Sequence, residues 1–87
     1  MKITIHAKNY NVGNKLRGII EEKLGRLKKF IDTGAECSVT IASQGNVDEM
    51  SVTITSKGQT YRTRVEGDNM FANVDACLDK LKRQIAT

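Results

Sequence analysis

Residues 37–65 read CSVTIASQGNVDEMSVTITSKGQTYRTRV, and within them apolar and polar side chains alternate in three separate runs. Cys37, Val39 and Ile41 alternate with Ser38, Thr40 and Ala42; Met50, Val52 and Ile54 with Ser51, Thr53 and Thr55; Tyr61, Thr63 and Val65 with Arg62 and Arg64. Period two is the signature of a strand with one buried face. Ser43-Gln44-Gly45-Asn46 and Ser56-Lys57-Gly58-Gln59 separate the runs and carry turn residues, so the three strands are expected to form an antiparallel meander.

Working outward, the segment before the meander changes period. Leu16, Ile19, Ile20, Leu24, Leu27, Phe30 and Ile31 fall on one stripe at ~100° per residue, which predicts an amphipathic helix over 14–31. Gly25 costs this helix about 1 kcal/mol relative to Ala, and Gly34 is its expected stop. Further upstream, Ile3, Ile5 and Ala7 alternate with Thr4, His6 and Lys8, giving a first strand over 2–8. Downstream, Asp68 is the expected cap of a second helix whose stripe is Met70, Val74, Cys77, Leu78, Leu81 and Ile85. The order is β-α-β-β-β-α, an α+β fold. A four-stranded sheet with two helices on one face buries both stripes at once and leaves the other face wet.

The 87 residues contain no proline, no repeat and no low-complexity tract, so residues 1–87 are read as one domain. The first residues lack the apolar run of a signal peptide, and no apolar run is long enough to span a membrane, which predicts a cytoplasmic protein with no membrane partner. Cys37 and Cys77 share parity with core residues, and in that compartment two buried, reduced thiols are expected.

The net charge of +4 is unevenly spread. Residues 15–31 hold six basic and two acidic side chains, whereas residues 32–49 hold Asp32, Glu36, Asp48 and Glu49 and no Lys or Arg. On the first helix Lys15, Lys23, Arg26 and Lys29 gather on one flank of the stripe, Lys23 closest to the apolar sector. On the second, Lys80 and Arg83 share one flank, and Lys82 sits with Asp75 and Asp79 on the other. With the helices side by side, Lys23, Arg26 and Lys29 are expected to face Lys80 and Arg83 across a groove suited to phosphates. Charge alone does not separate that site from a solvated surface. Arg62 and Arg64, outward on the fourth strand, are additional candidates for RNA contact. His6 and the two cysteines fall on separate elements, with no catalytic motif and no metal-ligand spacing, so no enzyme activity, cofactor, metal or small-molecule substrate is expected.

LRGIIEEKLGRLKKFID at 16–32 and EGDNMFANVDACLDKLKRQI at 66–85, together with the Ile3-Thr4-Ile5 strand, resemble the ribosome hibernation-promoting factor family, also called protein Y or ribosome-associated inhibitor. The resemblance extends over essentially the whole chain. It implies a fold related in shape to double-stranded RNA-binding domains. It also implies binding to the small ribosomal subunit (30S, 16S rRNA) in the mRNA and tRNA channel, including on the 70S ribosome, and translation inhibition by occupancy. The positions matching the family's RNA-contacting helix residues are Lys23, Arg26, Lys29, Lys80 and Arg83. A further basic residue is expected one turn past Arg83, where the chain has Thr87, and the natural protein is expected to continue into a basic tail or a dimerisation domain. A generic duplex-RNA binder and a protein-interaction module are the other readings. The first predicts competition by free duplex RNA, and the second an exposed apolar patch in place of a basic groove.

Overall fold

The computed structural model describes residues 1–86, leaving Thr87 and the basic extension expected around it outside the described residues. Strand β1 (Lys2–Lys8) leads through helix α1 (Asn14–Gly25) and a 3₁₀ turn (Arg26–Lys29) into β2 (Glu36–Gln44), β3 (Val47–Ser56) and β4 (Gln59–Gly67), followed by helix α2 (Met70–Ala86). The sheet order is β1-β2-β3-β4. β1 pairs parallel to β2, which requires the intervening helix as a crossover, and β2, β3 and β4 form the expected antiparallel meander.

The meander strands run longer than the alternation suggested, because Ser43, Gln44, Ser56 and Gln59 are paired residues and each turn is only two residues. Lys57 and Gly58 have φ of 50° and 79°, the left-handed pair of a type I′ turn, whose twist matches that of the flanking strands.

Side chains of one parity meet both helices. Val39, Ile41, Met50, Val52 and Ile54 from the sheet are fully buried against Leu16, Ile20, Leu24 and Leu27 on one side and Met70, Val74, Cys77, Leu78 and Leu81 on the other. The outward parity carries Thr4, Ser38, Thr40, Ser51, Thr53 and Thr55, the wet face expected.

Three local expectations are corrected. The α-helical hydrogen-bond pattern ends at Gly25 and the chain tightens into a 3₁₀ turn, so the 100° wheel no longer applies at residue 30. Phe30, expected in the core, is therefore 55% exposed. Asp68 does not cap α2: Asn69 Oδ1 accepts hydrogen bonds from the N–H groups of Phe71 at 2.9 Å and Ala72 at 3.4 Å. Gly34 does not stop the helix, which has ended nine residues earlier at Gly25.

At the start of α2, Asn73 is buried and its amide donates to the Asp48 carbonyl at 3.2 Å. A Cβ on Gly67 would lie 2.7 Å from Asn73 Oδ1, so the glycine is what lets the helix settle this close to β3.

Candidate nucleic-acid interface

Contacts between the helices fix their relative direction. Lys15 lies over the Phe71 ring, Lys23 pairs with Asp75, and Arg26 and Lys29 share a groove with Lys82 and Ala86. Advancing along α1 means advancing along α2, so the two helices run parallel and end at the same end of the molecule. Their negative dipole ends converge there, and cations at that end are stabilised by them.

The groove at this end encloses about 350 Å³ and is lined by Arg26, Lys29, Phe30, Lys82 and Ala86, three cations with no carboxylate among them. Arg26 is held by Glu22 one helical turn away at 3.3 Å. Lys29 Nζ lies 5.3 Å from the Phe30 ring centroid. Lys82 has no ion-pair partner among the described residues.

The expected groove thus has a different far wall. Lys82 faces Arg26 and Lys29, whereas Lys80, about 160° around the helix from Lys82, and Arg83, about 100° from it, do not line the groove. Lys80 and Arg83 are exposed on the remaining surface of α2. Lys82 shares its flank with Asp75 and Asp79, so the charge pattern of α2 alone points to Lys80 and Arg83 instead. Lys23, near the apolar sector of α1, pairs with Asp75, and that contact marks the Asp75 and Lys82 flank as the one facing α1.

Lys23 is accordingly tied down. Its ammonium is paired with Asp75, and its side chain is only 25% exposed. Replacing Asp75 with Asn should free this cation while changing unfolding free energy by less than about 1 kcal/mol, since solvent screens a pair whose other half is well exposed. Urea titration would measure the second effect, and low-salt affinity for a polyanion, expected to rise, the first.

The remaining candidates are dispersed. Lys15 Nζ sits 5.9 Å from the Phe71 centroid at the opposite end of the helix layer. Arg64 lies 2.6 Å from both Glu49 and Glu66 on the outer sheet face. The hydrogen bond from Arg64 holds the Glu49 carboxyl below the usual carboxylate range, and Arg64 is itself pushed upward. A guanidinium with two carboxylates is poorly placed for a phosphate. The Arg62 side chain is exposed, and its backbone is clamped by Gln84, whose amide donates to the Arg62 carbonyl at 2.6 Å and accepts from its N–H at 3.3 Å.

Cys37 and Cys77 are free and buried, each thiol pushed up to about 11, by burial, with the charge of Lys80 opposing it slightly at Cys77. Among the described residues no cluster of His, Cys, Asp and Glu is arranged to hold a metal, and no helix is long and apolar enough to cross a membrane.

The family described as sigma 54 modulation protein / S30EA ribosomal protein matches residues 3–87. The chain belongs to this family. A curated relative of this S30EA domain, the ribosome hibernation promotion factor of Staphylococcus aureus (strain COL), is 30% identical over 88 residues. That match covers 98% of the chain but 46% of the relative, so the S30EA domain spans about half the length of that protein. Two solved structures share the fold. The protein Y N-terminal domain of Thermus thermophilus superposes with a TM-score of 0.87 at 23% identity, covering 98% of this chain and 96% of that one. A ribosomal subunit interface protein from Coxiella burnetii superposes with a TM-score of 0.88 at 21% identity, covering 99% and 94%. The S30EA fold is therefore the β-α-β-β-β-α arrangement read from the alternation, with both helices on one face.

Proposed function

We propose that this chain is the ribosome-binding part of a hibernation factor, which docks on the RNA of the small subunit through the basic end of its helix layer. By occupying the channel used by mRNA and tRNA it inhibits translation without chemistry of its own. The observation that carries this reading is the convergence of Arg26, Lys29 and Lys82 on one groove in a member of the S30EA family. Lys80 and Arg83 extend the cationic surface around α2, and Lys23 contributes less than its position suggested because Asp75 neutralises it.

Helices packed on a sheet fix the backbone that carries these cations, so only their side chains have to be ordered when phosphates engage them. Co-sedimentation with isolated small subunits over a salt series tests the reading. Affinity should fall with a log–log slope of roughly 0.7–0.9 for each phosphate contacted. A flat salt response would favour a protein-interaction module instead, and full competition by free duplex RNA would favour a generic duplex binder.

A further inference from the structure

We propose that Phe30 is a stacking platform for one unpaired nucleobase, and that the groove beside it takes a single-stranded or looped-out nucleotide whose phosphates are held by Arg26, Lys29 and Lys82. The inference rests on the RNA-binding reading above and adds to it a ligand class, an unpaired nucleotide, and a residue that carries no charge.

A lone exposed aromatic needs no function. Phe30 differs in three respects. With Lys29 it lines two adjoining surface grooves, one holding the three cations and the other running past Asp32 to Lys57 and Tyr61. Its backbone is fixed: the Phe30 N–H donates to the Leu27 carbonyl at 2.9 Å, Leu27 is fully buried, and two residues later the Asp32 N–H donates to Ser56 Oγ at 3.3 Å. The ring is therefore displayed on a rigid turn. Finally, its surroundings suit a nucleotide better than a second apolar surface. The groove is lined by Phe30, Ala86 and the cations Arg26, Lys29 and Lys82, with no carboxylate among them.

Every base offers a π-face, whereas a paired base in a helix has both faces covered by its neighbours. An exposed ring within a cationic rim therefore discriminates in favour of unpaired nucleotides, while the cations alone would accept any phosphate backbone. The ammonium of Lys29 rests over one face of the ring, so a base stacks on the other face, and Lys29 is within reach of a phosphate beside it.

The test uses the chain with Phe30→Ala and Phe30→Trp, both at an exposed position where folding is not at stake, and circular dichroism accompanies each. The probe is a short single-stranded oligoribonucleotide carrying one 2-aminopurine, whose fluorescence is quenched on stacking, alongside a hairpin in which that base is paired. Expected are quenching and preference for the single strand in the wild type, a loss of about 5- to 150-fold in affinity with loss of quenching in Phe30→Ala, and recovery in Phe30→Trp. Unchanged affinity and quenching in Phe30→Ala, or tighter binding of the hairpin, would overturn the proposal. So would Phe30→Ala weakening small-subunit binding while leaving oligonucleotide quenching intact, which would point to a ribosomal protein as the partner of the ring. Failure of the wild type to bind small subunits would sink the ribosomal reading, and the oligonucleotide arms would still judge the stacking.

Discussion

Replacing Arg26, Lys29 and Lys82 together with Glu is expected to abolish binding to small ribosomal subunits while leaving the fold intact. The three side chains line one groove and none belongs to the buried core, so their reversal removes no packing. Each charge-assisted contact to a phosphate is worth about 1.5–3 kcal/mol, so three lost contacts weaken binding by at least about a thousandfold before repulsion is counted. The comparison that discriminates is Lys80 and Arg83 reversed in the same way. Two charges on the outer surface of α2 should cost less than three in the groove and should lower the salt slope by fewer contacts. A larger loss from the Lys80 and Arg83 pair would move the site out of the groove and onto the exposed side of α2. Affinities of each variant over one salt series, with native circular dichroism spectra for each, decide it.

Between pH 9 and 11 the domain should lose much of its stability. A thiol whose value rises from 9.0 to about 11 on folding prefers its neutral form in the core. Below pH 9 the folded and unfolded chains both carry the protonated thiol, and the stability is fully present. As the pH climbs past 9 the unfolded chain ionises first, and stability falls until the folded thiol also ionises near 11. Each unit is worth 1.36 kcal/mol, so each cysteine accounts for about 2–3 kcal/mol across this window. Urea midpoints measured across the window should fall steeply for the wild type and less for a variant with both cysteines replaced by Ala. That variant starts from a lower plateau because it leaves small cavities. Slow reaction of both thiols with a bulky reagent at neutral pH should accompany the effect, since the side chains at Cys37 and Cys77 are nearly inaccessible. An equally steep fall in the cysteine-free variant would assign the alkaline loss to other groups.

The meander was legible in the sequence because its strands alternate about one buried face, so parity alone placed Val39, Val52 and Thr63 inward. On the edge strand β1, by contrast, Ile3 and Ile5 are only half-buried and Ala7, expected inward, is exposed. The helices were legible as stripes, but a stripe tells which side faces the core and not which flank faces a neighbouring helix. That choice depends on the direction in which two helices lie together, and here it turned Lys82 toward Arg26 and Lys80 away. Phe30 leaves the stripe for another reason. Gly25, the weakest helix former in GRLKKF, sits where the α-helix gives way to the 3₁₀ turn, but an apolar stripe that continues past it hides the change. Asn69 outcompeted Asp68 because a cap must sit immediately before the first helical residue, and a one-residue error is invisible to periodicity.

The parallel course of the two helices has a consequence for how the molecule travels before it touches anything. Their C-termini meet beside Arg26, Lys29 and Lys82, while their N-termini lie near the β2–β3 turn, where Asp48, Glu49 and Glu66 are paired or adjacent across the sheet. Three cations line the groove end with no carboxylate among them, while at the other end Arg64 offsets Glu49 and Glu66, so the excess positive charge lies toward the groove and off the centre of the domain. In the field of a large polyanion such a body is torqued as well as attracted, and it arrives with its groove leading. Orientation that would otherwise be sampled at random is supplied during diffusion, and the association rate rises by steering at low ionic strength. Added salt then slows arrival as well as loosening the complex, a kinetic effect that equilibrium affinity alone would not reveal.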